Sequence, residues 1–197
     1  MPQITPILDR RTLFLGAAGL VMTSALSGNS TASAAAQNAV ARPTIPSGTG
    51  SAARGDFDFL TGEWTIKLRN FDGSGQERDA SATVHRVLGG MGSIEELRKG
   101  DGSMWGMGVR VLHPNEGVWA DHWTSAEDGV VNTPQLGTFV DGVGVFLGDD
   151  PNDGAPLTFR AVWDQITPTS CRWYQIMSRD GGATWDYGWY MDWTRLA

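Results

Sequence analysis

From residue 62 onward, apolar and polar residues alternate in short runs, and no stretch carries the spacing of an amphipathic helix. The first run is the clearest. Trp64, Ile66 and Leu68 fall on one face, and Thr65, Lys67 and Arg69 on the other. It follows Phe57-Asp-Phe-Leu-Thr-Gly-Glu-Trp64, where an apolar pair around an aspartate, then Gly62, predict a short turn leading into a strand at 62–70. Further strands are predicted at 77–88, 91–99, 104–113, 116–124, 136–140, 143–148, 156–166, 169–178 and 185–195. Between them stand turn residues such as Asp72-Gly73, Gly100-Asp101-Gly102, Pro114-Asn115, Asp141-Gly142 and Asp180-Gly181-Gly182. Short turns pair sequence neighbours into a meander. A meander of this many strands closes, because closure removes its edges. The predicted fold is all-β, an antiparallel meander barrel of about eight to ten strands.

Nine tryptophans say what fills it. Strict alternation puts Trp185, Tyr187, Trp189, Met191 and Trp193 on one face of the last strand. It puts Trp119 with Asp121 and Trp123, Trp105 with Met107, Val109 and Val111, and Trp163 with Phe159 and Ala161. Most of these rings are expected in the core, where each contributes a few kcal/mol of apolar burial. A barrel of this strand number also has room for one small ligand, and aromatic side chains would line its pocket. The candidate ligand-binding residues are Trp105, Trp119, Trp123, Trp163 and Trp189, with His85 and Arg110 as polar groups; an arginine inside would orient an anionic ligand.

Gly62 two residues before Trp64, together with SRDGGATW and DWTR near the C-terminus, resembles a bacterial calycin-like (lipocalin-like) β-barrel family of unknown function. The resemblance implies a fold and almost no chemistry. It implies that Arg195, ending the last strand, lies over Trp64 in a cation–π contact of about 0.5–2 kcal/mol. The stretch Ser178 to Trp185 also matches the Asp-box, S-x-D-x-G-x-T-W, a hairpin in which the aspartate accepts backbone N–H bonds and the tryptophan packs beneath the turn. Propellers repeat that motif blade after blade. Here it occurs once, which makes it a turn device.

The ends read differently. Arg10-Arg11-Thr12-Leu13-Phe14-Leu15 precedes an apolar run to Leu26 and small residues at Ala32-Ser33-Ala34, which predicts a signal peptide over 1–34. The paired arginines resemble a twin-arginine (Tat) signal, so the mature protein is expected outside the cytoplasm. Residues 35–54, rich in Ala, Pro, Gly and Ser, are expected as a disordered linker, and 55–197 as the barrel domain. The net charge of −7 and the lack of a Lys/Arg cluster argue against nucleic acid and against anionic membranes once the signal is removed. Cys171 is the one cysteine; beside Trp173 in an alternating strand it reads as a buried, inert thiol.

No His-x-His, H-E-x-x-H, G-x-S-x-G, C-x-x-C or phosphate loop is present, so no metal site and no cofactor are expected. Asp149 to Gly154 reads as a plain acidic turn rather than a calcium loop. Heme enters only through the resemblance, since some related barrels hold it by one histidine; His85 or His122 would serve, and nothing in the sequence favours either. The leading functional reading is a secreted barrel that binds a small apolar or aromatic molecule. The alternative is a cofactor-independent enzyme (isomerase, cyclase, lyase or hydrolase) using a buried histidine or carboxylate, with His122, Glu95 and Tyr174 as candidate catalytic residues.

Overall fold

The alternation at the first run becomes β1, Gly62–Asn70, with Trp64, Ile66 and Leu68 buried and Glu63, Thr65 and Lys67 exposed. The computed structural model describes residues 50–150 and 157–197. The same two-residue period builds β2 (Glu77–Val87), β3 (Gly92–Lys99), β4 (Met104–His113), β5 (Val118–Ser125), β6 (Gln135–Val140), β7 (Val143–Asp150), β8 (Leu157–Asp164), β9 (Ser170–Ser178) and β10 (Asp186–Arg195). Each strand pairs antiparallel with its sequence neighbour, and β1 closes on β10. This is the closed meander expected from the sequence. The signal peptide lies outside the described residues, as do most of the linker and of the acidic turn. The last residues assigned to the linker dock on the barrel: the Ala52 N–H donates to the Gly117 carbonyl and the Arg54 guanidinium to the Gly89 carbonyl.

One end of the barrel is sealed by the segment that leads into β1. Asp58–Leu60 forms a 3-10 turn that carries Phe57 and Leu60 into the interior, where both are buried. Phe57 meets Trp119 at 5.0 Å, Phe139 at 5.1 Å, Phe146 at 5.6 Å and Trp163 at 6.5 Å between ring centroids. The Trp64 indole N–H donates to the Leu60 carbonyl, tying turn to strand. Arg195 lies 4.2 Å over the Trp64 ring and donates to the carbonyls of Phe59, Thr61 and Pro168, the closure that the resemblance implied. This explains the glycine at position 62. Its φ of 128° suits glycine, and a Cβ there would stand 2.6 Å from an Arg195 nitrogen.

Two bulges redirect side chains that strict alternation had grouped. The β9–β10 register shifts between Tyr187 and Tyr190, so Trp189, Met191 and Trp193 point inward while Trp185, Tyr187 and Tyr190 join a second aromatic cluster outside. That outer cluster contains Phe71, Val162, Tyr174 and Ile176. In β4 the register shifts at Trp105, which turns inward with the buried Gly106, Gly108, Arg110 and Leu112; Met107, Val109 and Val111 are half-exposed. The single-face groupings expected for Trp105 and for Trp185–Trp193 are therefore both corrected, and an inserted residue is the cause in each.

Candidate functional site

Inward-facing residues form a sealed layer, a charged layer and an open mouth. In the sealed layer Trp119 is fully buried against Phe57 and donates its indole N–H to Asp56. Trp163, fully buried too, packs between Phe57, Phe59 and Trp193. Neither lines either of the two spaces at the other end. As ligand-binding candidates they are replaced by a structural role, because the 3-10 turn occupies the space in front of them.

The charged layer is built by β3, β4 and β5. Arg110 is completely buried and donates to Glu95, while its Nε stands 3.3 Å from Asp121 Oδ1, an ion-pair contact off the hydrogen-bonding direction. The guanidinium rests on two rings, 5.1 Å from Phe57 and 5.3 Å from Trp163. Burial acts to lower its pKa, but the charges of Asp121 and Glu95 outweigh that and hold it above the ordinary arginine value. Gly108 makes room: a Cβ there would press on the Arg110 guanidinium and the Glu95 side chain. Removing one partner of such a pair strands a buried charge, at a cost of about 3–5 kcal/mol. Glu95 and Arg110 are thus inside, as the sequence suggested, but they are paired with each other. Cys171 shares this layer as the buried thiol expected. Burial, then the nearby Glu95 charge, pushes its pKa up to about 12, which keeps it protonated and unreactive.

The other end is open. A cavity of about 470 Å³ lies at the mouth, with Leu68 and Trp105 as its apolar members and Arg78, Asp79, Lys99 and Asp101 around the rim. A second, smaller pocket of about 40 Å³ is lined by Asp121, Trp123, Asn132, Thr133, Gln135, Trp173 and Gln175. The Trp123 ring lies against Gly106, the residue after Trp105, so each space has an indole and the two are near in the sequence. The Trp173 and Trp189 rings lie 5.5 Å apart, tilted at 46°. Gln175 is 5% exposed, and its Oε1 has no hydrogen-bond partner.

The structure divides the candidate residues sharply. Trp105 lines the mouth cavity and Trp123 the small pocket, while Trp189 lies against Trp173 of that pocket. His85 is exposed on the outer face of β2, since Ala80, Ala82 and Val84 take the inner one. His122 faces outward too, with Nδ1 3.1 Å from the Asn132 carbonyl oxygen. Neither histidine therefore faces the interior. Tyr174 lies in the outer cluster against Phe71 at 5.4 Å, and burial pushes its phenol well above the ordinary tyrosine value. His122, Glu95 and Tyr174 do not meet. The residues that do meet at the small pocket are Asp121, Trp123, Trp173 and Gln175. Alternation of Cys171, Trp173, Gln175 and Met177 carried the signal for Gln175, an amide on a face of otherwise large or buried groups.

The Asp-box takes the form expected. Asp180 accepts the Thr184 amide at 2.8 Å and hydroxyls of Thr184 and Ser178, while Trp185 donates to the Gly182 carbonyl beneath the turn. Arg160 lies 4.2 Å over the Trp185 ring.

No protein-family profile matches the chain, and no curated protein matches it. Among solved structures it is similar to the S-type phycobiliprotein lyase CPES from Guillardia theta, with 15% identity, a TM-score of 0.45, and coverage of 72% of this chain and 90% of that one. It is also similar to EF1p2_mFAP2b bound to DFHBI, with 13% identity, a TM-score of 0.33, and coverage of 73% of this chain and 98% of that one. At such low identity neither says what this chain binds.

Proposed function

We propose that the barrel binds a small, mostly apolar or aromatic molecule, taken in at the end opposite the Phe57 plug. The mouth cavity of about 470 Å³ carries this reading. Its volume falls in the range of small-molecule sites, and Leu68 and Trp105 offer apolar surface under a charged rim. Uptake of the neutral dye N-phenylnaphthylamine tests it, followed by dye emission and by energy transfer from tryptophan. Saturable uptake is expected, with at least about a tenfold loss in Trp105→Ala. Dye that never saturates, or an unaffected Trp105→Ala, would place the ligand elsewhere.

Asp121 gives the enzymatic alternative its one foothold, as a carboxylate in a pocket walled by indoles. A substrate turned over by the wild type and bound but unconverted by Asp121→Asn would establish that reading. On location, the Arg10-Arg11 pair supports export by the Tat route. Replacing both with lysine should leave the precursor in the cytoplasm, and normal export of that variant would refute the route.

A further inference from the structure

We propose that the small pocket recognises a primary ammonium group, so that the ligand is an amine on an apolar or aromatic body. This rests on the ligand-binding reading above and narrows its chemistry. The pocket holds about 40 Å³, room for one small head group rather than a ring. Its polar lining is the Asp121 carboxylate, the amides of Gln175, Gln135 and Asn132, and the Thr133 hydroxyl, with one negative and no positive side chain among them.

Two observations point to a donor that is cationic. Gln175 is almost wholly buried, yet its Oε1 has no partner, an arrangement that costs free energy until a donor arrives. The charged layer also offers two carboxyl groups to one guanidinium, and Arg110 commits its hydrogen bond to Glu95. Glu95 and Asp121 together carry one more formal charge than the Arg110 guanidinium beside them. An ammonium brings three donors, and the Trp123 and Trp173 indoles that wall the pocket attract cations. A carboxylate head would meet Asp121 as a like charge. A hard dication wants six or more oxygen ligands and several charges, whereas this pocket has one carboxylate between two indoles.

Isothermal titration with phenylbutylamine, phenylbutanol and phenylbutyrate at neutral pH tests the proposal, since the three share one apolar body. The amine should bind at least about tenfold tighter than the alcohol, with the carboxylate weakest. Gln175→Leu should bring the amine to within a few-fold of the alcohol and leave the alcohol unchanged. Gln175→Glu, which keeps the shape and adds a charge, should widen the preference instead. Equal affinity for amine and alcohol, or tightest binding of the carboxylate, would overturn the ammonium assignment while the barrel remained a binding protein. Failure of all three probes alongside saturable N-phenylnaphthylamine uptake would overturn the assignment alone. Failure of the dye as well would overturn both.

Discussion

The two ends of the barrel are made from different parts of the chain and do different work. The sealed end is built by one short contiguous segment, Phe57 to Trp64, inserted among rings from β5, β6, β7 and β8 and clamped by Arg195. Among the described residues no such segment crosses the other end. Its inward residues come from both sides of the barrel and leave two spaces between them. A plug made of aromatic side chains binds no ligand, because it already occupies the space a ligand would take. The comparison therefore gives stability to one end and, on the function proposed above, recognition to the other.

The sharpest way to break that assignment is a pair of truncations. Phe57→Ala should lower unfolding free energy by about 3–5 kcal/mol in denaturant titration, from lost burial and the cavity left among four rings. Dye affinity at the mouth should hardly change. Trp105→Ala should do the reverse. Equal stability losses from both, or dye binding lost in Phe57→Ala, would mean that the ends are not separable.

A smaller effect tests the clamp. Arg195→Ala should cost about 1–2 kcal/mol, from the cation–π contact and the carbonyl bonds it makes. In a double-mutant cycle with Trp64→Ala the losses should fall short of additive, because each variant removes the same contact. Additive losses would take Arg195 off the ring.

The smallest effect is at the open-end hairpin. Asp180 is held down to about 2, first by its bond from the Thr184 hydroxyl, then by the Thr184 amide and Ser178. A depressed carboxylate contributes order above its ordinary value near 3.8 and loses that contribution as pH falls toward 2. Exchange of the Thr184 amide, followed by NMR, should accelerate across that interval while the buried amides of β1 stay protected. Uniform loss of protection would couple the hairpin to the whole barrel.

The strands, the closure, the clamp and the Asp-box were legible in the sequence because each depends on local spacing or on a fixed motif. Faces were legible only relatively. Alternation placed Trp119, Asp121 and Trp123 together and His122 opposite, which is correct, but it could not say which side was inward. Contact between Trp119 and Phe57, sixty-odd positions earlier in the chain, decides that. The bulges at Trp105 and before Tyr190 were illegible, since an inserted residue shifts the period without changing composition. Glu95 and Arg110 had no sequence signature as partners either; they stand 15 positions apart and meet because β3 and β4 pair.

The indoles of this barrel are close enough to couple electronically. Trp64 and Trp193 lie with centroids 6.0 Å apart and inclined at 73°, and Trp193 lies 5.4 Å from Trp163 at 60°. Chromophores at such separations and tilts share their excited states, which splits the ultraviolet absorption into a paired circular-dichroism signal that isolated tryptophans lack. This chain of rings crosses the seam between β1 and β10, the one junction that joins the two ends of the meander. A barrel that unzipped there could keep its other strand pairs and much of its backbone dichroism, yet it would lose the part of the doublet that Trp64 and Trp193 contribute. Followed in time during refolding, the component lost in Trp64→Phe would date the moment of ring closure separately from the moment the strands form.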